Sequence, residues 1–145
     1  MKLTFESNLA YQQEAIQAVV NLFEGQMSEE SGCQYSLNEN GVLDLIAGIG
    51  NRLVLSKEQI LANLQKVQQQ NNILCSDTLE DMHFSIEMET GTGKTYVYLR
   101  TIYELNKKYG FKKFVIVVPS VPIREGVLKN LQITHEHFQT LYDNT

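Results

Sequence analysis

The run TGTGKT at residues 90–95 constrains the fold of this chain most, because it places two glycines, separated by one threonine, before a lysine and a threonine. The alternating segment FSIEM (84–88) before it predicts a half-buried strand, and the amphipathic segment after it predicts a helix to about residue 108. A continuous apolar run at 113–118 is typical of a central parallel strand. Strand, glycine loop, helix and strand in this order predict a βαβ unit with a right-handed crossover.

The loop itself has the pattern of a phosphate-binding loop, in which backbone N–H groups at a helix start surround phosphate oxygens. Gly91 and Gly93 lie inside the loop. Lys94 would add a mobile positive charge, and the Thr95 hydroxyl would bind Mg²⁺. Met88 stands where the pattern usually has its first glycine, and we interpret it as the last residue of the strand. The alternative is a glycine-rich turn with Lys94 as a solvated surface charge.

The first half of the chain predicts two helices. Apolar residues spaced on one face predict a helix at 8–24 that ends at Gly25. Ser56 followed by Gln59 forms a capping box and predicts a second helix to about residue 70. Residues 26–41 read as a loop, and the glycine-broken segment 42–55 favours pieces of strand.

The prolines at 119 and 122 predict the start of a helix at 123–131, followed by a second short helix to residue 142. On that second helix His135 and His137 are two residues apart, point in different directions and make a poor metal pair, so both are expected at the surface. Tyr96, Tyr98 and Tyr103 have helical spacing and are expected to pack rather than to stack on bases.

The composition fits one globular domain. The chain has 145 residues, of which 43% are hydrophobic, and its net charge of −5 argues against a generally basic surface that coats DNA. A local basic groove remains compatible with that charge. Cys33 and Cys75 lack metal-ligand spacing and predict free buried thiols in a reducing cytoplasm. No stretch approaches the roughly 20 apolar residues needed to span a membrane.

The segment IEMETGTGKTYVYLRTIYELNKKYGFKKFVIVVPSVPIREGVLKN (86–130) resembles the restriction (Res) subunit of type III restriction–modification enzymes, which are superfamily 2 helicase-like ATPases. Residues 9–25 and 51–72 are similar to the N-terminal region of that subunit. The resemblance implies an α/β fold: a partial RecA-like P-loop NTPase domain, with a parallel sheet and flanking helices, truncated after helicase motif Ia. It divides residues 1–145 into a Q-motif helix (1–25), an insertion (26–80) and the βαβ unit (81–145).

The resemblance also implies roles for particular residues. Tyr11 and Gln12 match the adenine-reading Q-motif, and the Gln12 amide would contact the N6 and N7 edge of adenine. Otherwise Gln12 is a solvated residue early in a helix. Lys94 would stabilise phosphate and transition-state charge. The implied nucleotide-binding residues of the loop are Thr90, Gly91, Thr92, Gly93, Lys94 and Thr95.

The segment VPSVPIREG (118–126) is similar to helicase motif Ia, which contacts the nucleic-acid backbone. The resemblance therefore implies that Ser120 and Arg124 contact DNA phosphates. Alternatively, the two prolines only shape a turn and Arg124 pairs with a nearby carboxylate.

The implied parent is an ATP-dependent type III endonuclease that couples ATP hydrolysis to DNA translocation and cleavage. It would need ATP and Mg²⁺, act on double-stranded DNA with a modification (methyltransferase) subunit, and be cytoplasmic with no membrane association. The sequence contains no Asp-Glu box after a later strand and no second RecA-like domain, so we expect this chain alone to be inactive and prone to association. The alternatives are a non-catalytic nucleotide-binding or subunit-docking fragment, or part of another superfamily 2 helicase.

Overall fold

The computed structural model describes residues 6, 8–27, 36–37, 43–44 and 51–142. Its four helices are α1 (Ala10–Asn21), α2 (Lys57–Gln70), α3 (Lys94–Tyr109) and α4 (Val121–Tyr142). Two short strands, β1 (Ser36–Leu37) and β2 (Leu43–Asp44), form one antiparallel pair. The described part of the chain is therefore essentially helical.

Helix α3 lies at the centre of the packing, with α1 against one side and α4 against the other. On the α1 side, the fully buried Ile16 and Val20 belong to one apolar cluster with Val97 and Tyr109 of α3. The Tyr109 hydroxyl also donates to the Val20 carbonyl at 3.0 Å. The sequence predicted one apolar side for this helix, but α3 is buried on two sides because it has a neighbour on each.

The second cluster joins α3 to α4 through aromatic rings. Phe138 is 1% exposed and stacks between Tyr96 and Tyr103, with ring centroids at 5.4 and 4.9 Å. Tyr103 stacks in turn on Tyr142 at 5.1 Å. Large buried rings contribute more to stability than most other side chains, so this stack is the main attachment of α4. The prediction that Tyr96 and Tyr103 are packing residues is confirmed.

The predicted α/β fold, with a parallel RecA-like sheet, is wrong. Segments 84–88 and 113–118 have no strand pairing, and the sheet of the described residues consists of β1 and β2 alone. Val115 and Val117 are 88% and 87% exposed, so among the described residues no layer covers the side of the run that carries them. A strand is stabilised by hydrogen bonds and side-chain contacts with its neighbours. An apolar run cannot specify such neighbours, and within the described residues neither segment has one.

Side-chain amides take over part of the bonding that a sheet would provide. The Asn51 amide donates to the Lys113 carbonyl at 2.6 Å, and its oxygen accepts from the Lys112 N–H at 2.8 Å. Gln26 likewise donates to the Arg52 carbonyl at 2.9 Å and accepts from the Val54 N–H at 3.0 Å. Because an amide carries both a donor and an acceptor, it can bind an extended backbone much as a neighbouring strand does.

The predicted second helix is confirmed as α2. Both halves of its capping box are present, since Ser56 accepts from the Gln59 N–H and Gln59 accepts from the Ser56 N–H. The Asn63 amide attaches α2 to the turn after α1 by donating to the carbonyls of Leu22 and Glu24 at 3.1 and 2.9 Å. The predicted first helix is shorter than expected, ending at Asn21 and followed by a turn to Gly25.

Helix α4 is one continuous helix where the sequence predicted two short ones. Pro122 lies in its first turn, where a missing N–H costs no helical hydrogen bond. The Thr134 hydroxyl, which is buried mid-helix, is satisfied by the Asn130 carbonyl at 2.7 Å. With this hydroxyl satisfied and Phe138 buried against α3, the helix continues without a break.

Candidate nucleotide site

The glycine loop enters α3 through two residues with positive φ. Gly91 has φ +81° and Gly93 has φ +83°, in the left-handed region that L-residues with a side chain rarely adopt. Gly93 is the N-cap of α3, and its carbonyl accepts the first helical hydrogen bond from the Val97 N–H at 3.0 Å. The loop therefore delivers its backbone to the positive end of a 16-residue helix, where anions are stabilised.

Lys94 lies across this loop. Its ammonium donates to the carbonyls of Met88 and Glu89 at 2.7 and 2.6 Å. The Thr92 hydroxyl donates to the same Glu89 carbonyl at 2.7 Å. The interpretation of Met88 as the last residue of a strand is wrong, because no strand is present there. Its side chain is half-buried against the α1–α3 cluster and anchors the beginning of the loop. The lysine thus places its positive charge at the loop while bracing the backbone.

Gln12 connects α1 to the loop. Its side chain is only 6% exposed, and its amide nitrogen donates to the Thr92 carbonyl at 2.9 Å. Its Oε1 is buried and has no hydrogen-bond partner among the described residues. A buried carbonyl oxygen without a partner costs free energy, which a ligand donor at this position would recover. The alternative of a solvated Gln12 is therefore wrong, because the side chain is buried.

Close packing at Gly93 explains why the loop has no side chain there. A Cβ at Gly93 would lie 2.8 Å from the Gln12 amide nitrogen, whereas a Cβ at Gly91 would meet no atom within 4 Å. Gly93 is therefore needed both for its φ and for the approach of Gln12, while Gly91 is needed for its φ alone.

A cavity of about 590 Å³ opens over the loop, a volume within the range of small-molecule sites. Six of the residues predicted to bind nucleotide line it, namely Gln12, Thr90, Gly91, Gly93, Lys94 and Thr95. Four further residues that the sequence did not indicate also line it, namely Glu6, Leu9, Tyr96 and Asn130. Thr92 contributes through its carbonyl, which holds Gln12. The structure thus brings together α1, the glycine loop and α4 around one cavity.

His137 is not the surface residue that the sequence predicted. It is half-buried, and its Nε2 lies 3.0 Å from the Tyr96 hydroxyl, with the donor set by the imidazole tautomer. Its ring also lies 5.6 Å from the Tyr96 ring. His135 is exposed, as expected. The spacing of the histidines could not reveal this difference, because it depends on which side of α4 faces α3.

The charged Arg100 of α3 lies near the contact between His137 and Tyr96. Burial, followed by the nearby Arg100 guanidinium, lowers the pKa of His137 below its usual value. Burial also raises the pKa of the Tyr96 phenol. Farther along the stack, the Tyr142 hydroxyl donates to Glu104 Oε1 at 2.6 Å. Burial and this hydrogen bond to a carboxylate raise the pKa of Tyr142 well above its usual value. Near neutral pH, His137 is therefore expected to be uncharged and both phenols protonated.

The predicted DNA contacts lie outside the cavity. Ser120 and Arg124 are both exposed, and the Arg124 N–H donates to the Ser120 carbonyl at 3.0 Å where α4 begins. Within the part of the chain that the structure describes, no carboxylate forms an ion pair with Arg124. The alternative of a paired Arg124 therefore has no support among these residues.

The donors at the site suit phosphate and its counterion. Thr95, at the start of α3, is half-buried and lines the cavity. Among the described residues there is no group of three histidine, cysteine or acidic side chains placed to hold a metal. One hydroxyl is nevertheless compatible with Mg²⁺, which usually keeps several waters and takes the rest of its ligands from nucleotide phosphates. Of the two cysteines, Cys75 is a free, half-buried thiol, and Cys33 lies outside the described residues.

The glycine loop opens a long helix with a lysine and a threonine at its start, which is the arrangement that the phosphate-loop sequence pattern predicts. The family described as "Type III restriction enzyme, res subunit" matches residues 7–144. The chain belongs to this family.

The sequences of three Res subunits are similar to this chain. The chain is 35% identical to the EcoPI Res subunit of Escherichia phage P1 over 97% of its own length, and 36% identical to the EcoP15I Res subunit of Escherichia coli over 96%. Over 51% of its length it is 46% identical to the StyLTI Res subunit of Salmonella typhimurium. All three relatives are named as subunits of type III restriction-modification enzymes. The chain spans about 14% of the length of the first two.

None of the helices that the structure describes is both long enough and apolar enough to cross a membrane.

Proposed function

We propose that this chain is the ATP-binding segment of a type III restriction endonuclease subunit. The observation that carries the proposal is the buried Oε1 of Gln12, which has no partner among the described residues and belongs to a side chain that lines one cavity with the glycine loop and Lys94. An adenine N6 amine would donate to that oxygen, and the second N–H of the same amide would donate to N7. The residues therefore match both ends of an adenine nucleotide.

The remaining roles follow from the chemistry of the loop. Backbone N–H groups at the start of α3 would bind phosphate oxygens, and Lys94 would exchange its carbonyl acceptors for phosphate oxygens. The Thr95 hydroxyl would take one coordination position of Mg²⁺, which neutralises phosphate charge when bound. Lys94 would also stabilise charge on the transferring phosphoryl group in the parent enzyme.

The parent subunit would couple ATP hydrolysis to translocation on, and cleavage of, double-stranded DNA. It would act with a modification subunit, which is in keeping with the names of the relatives. Ser120 and Arg124 would contact the DNA backbone, since both are exposed at the start of α4 and supply a hydroxyl and a guanidinium. The cytoplasm is the expected compartment for such an enzyme.

For this chain by itself we propose nucleotide binding without turnover. Among the described residues that line the cavity, one is a carboxylate, Glu6, and it lies beyond the N-terminus of α1 rather than on α3 or the loop. Hydrolysis of a nucleotide requires an acid or amide that orients water at the terminal phosphate. A non-catalytic nucleotide-binding or docking role is therefore the second candidate for the isolated chain.

The test is equilibrium binding of a fluorescent ATP analogue to the 145-residue chain, together with a measurement of phosphate release. Lys94→Ala should abolish binding, whereas Lys129→Ala, which removes an exposed lysine of α4, should leave it unchanged. Equal affinity of the Lys94→Ala variant and the unaltered chain would refute nucleotide binding at this loop. Phosphate release that depends on Lys94 would refute the non-catalytic role. In the full-length subunit, intact ATPase activity after Lys94→Ala would refute the proposed motor.

A further inference from the structure

One wall of the cavity comes from a helix that the sequence had not connected with the nucleotide. Asn130 of α4 lines the cavity together with residues of α1 and the glycine loop. Its amide nitrogen donates to the Gly126 carbonyl at 2.9 Å, which leaves its oxygen and its second N–H available to a ligand. The position of α4 therefore decides the width of the cavity and the reach of this amide.

The same helix contacts the loop end of α3 two turns later. Asn130 and His137 are seven residues apart and lie on the same side of α4. His137 meets the hydroxyl of Tyr96, which directly follows Thr95 and itself lines the cavity. Among the described helices, α4 packs against α3 alone, so no other helix holds this wall.

We propose that Tyr96 and His137 are positioning residues for the nucleotide pocket, because their hydrogen bond holds the Asn130 side of α4 against the glycine loop. The inference rests on the proposed function of the loop. The Phe138 stack supplies most of the attachment of α4, whereas the hydrogen bond sets its position at the cavity end. Tyr96 is 8% exposed, so the bond is shielded from competing water.

Protonation of His137 should weaken this contact. The imidazolium carries a proton on Nε2, so it can only donate to the phenol oxygen, and its charge then lies beside the Arg100 guanidinium. The groups of α3 that face His137 are Tyr96 and the Arg100 guanidinium, with Glu104 behind the arginine at 4.0 Å. On α4 itself, Tyr142 belongs to the same network through Glu104. A second positive charge beside Arg100 is unfavourable, so nucleotide affinity should fall when His137 becomes charged.

The experiment compares matched pairs of variants by binding of the fluorescent ATP analogue at about pH 7.5. Tyr96→Phe keeps the ring stack and removes the hydroxyl, and should weaken binding about 2- to 10-fold. Its control is Tyr98→Phe, which removes a hydroxyl that has no partner among the described residues and should bind normally. His137→Gln should weaken binding similarly, while His135→Gln, on the exposed side of α4, should not. Asn130→Ala should weaken binding more than Gln132→Ala.

A pH profile separates positioning from a general structural role. The γ-phosphate titrates near the same pH as histidine, so the quantity of interest is the difference between the unaltered chain and His137→Gln. That difference should shrink towards acidic pH, because the positive charge of protonated His137 is repelled by Arg100 and weakens the contact. Melting temperatures of all variants show whether a loss of affinity reflects unfolding.

The outcomes are distinct. If Lys94→Ala abolishes binding but Tyr96→Phe and His137→Gln bind as the unaltered chain does, the positioning role is refuted and the proposed function stands. A His137→Gln effect that is the same at all pH values would also refute it. If Lys94→Ala has no effect, the proposed function fails, and this inference fails with it.

Discussion

The amide nitrogen of Gln12 donates to the carbonyl of Thr92 at 2.9 Å, joining the first helix to a loop 80 residues later in the chain. This hydrogen bond attaches the first turn of α1 to the start of α3, in addition to the apolar cluster that packs the two helices together. It also leaves the Gln12 oxygen buried and without a partner among the described residues, in a side chain that lines the cavity. The loop and the first helix therefore line one cavity, the candidate nucleotide site.

Replacement of Gln12 should affect binding more than stability. Gln12→Ala removes a hydrogen bond but also removes a buried oxygen without a partner, and these effects partly cancel in the free energy of unfolding. We expect affinity for adenine nucleotides to fall about 10-fold, as for the loss of a well-placed amide. Titration calorimetry and urea unfolding would measure the two effects, with the exposed Gln17 changed to alanine as the control. An unfolding midpoint lowered without loss of affinity would contradict the expectation.

The two loop glycines should respond differently to alanine. Gly91→Ala and Gly93→Ala each force a side chain into a left-handed conformation, which costs about 1–2 kcal/mol. Only the Cβ at Gly93 also approaches Gln12, at 2.8 Å, and must displace it. Both variants should therefore lower stability in urea unfolding, and Gly93→Ala should lose more nucleotide affinity. Equal affinities of the two variants would indicate that Gln12 does not contribute to binding.

The capping box of α2 should contribute to stability without touching the site. Ser56→Ala removes the acceptor of the Gln59 N–H and should lower the free energy of unfolding by about 1 kcal/mol. Ser85→Ala, in an exposed and extended segment, should change it by much less. Urea unfolding followed by circular dichroism would measure both, and nucleotide affinity should be unchanged. A loss of affinity in Ser56→Ala would show that α2 is coupled to the loop.

The buried phenol of Tyr142 should make the protein less stable in alkali. Its pKa is raised in the folded state, so the folded chain keeps this proton at pH values where the unfolded chain has lost it. The stabilisation is complete below the ordinary tyrosine pKa of about 10 and is lost as the pH rises above it. Unfolding of Tyr142→Phe should therefore depend less on pH above that value than unfolding of the unaltered chain. Identical alkaline profiles of the two proteins would contradict the burial of this hydroxyl.

Local signals in the sequence predicted α2 and α3 well. The Ser56–Gln59 capping box lies within three residues, and Gly110 ends α3 in the left-handed conformation expected for a C-terminal glycine. The loop at 90–95 could likewise be recognised, because its glycines, lysine and threonine act through neighbouring backbone. The resemblance to the Res subunit family was confirmed by a family match over residues 7–144.

The strands could not be predicted in this way. Segment 113–118 has the composition of a buried strand, yet Val115 and Val117 remain exposed, and Asn51 supplies the nearby backbone bonds instead. The prediction of two separate helices at the C-terminal end was also wrong. Phe138 packs against α3, and α4 continues without interruption. In each case the outcome depended on whether a distant part of the chain came close enough to pack.

By itself, the sequence determined the glycine loop, the helix caps and the family, because these depend on contacts between residues a few positions apart. Only the tertiary structure decided that the apolar runs have no strand partner among the described residues, that Gln12 is buried against the loop and that His137 meets Tyr96. Those contacts join residues 80 and 41 positions apart. Their free energy depends on which sides of three helices meet, and helical periodicity alone leaves that choice open.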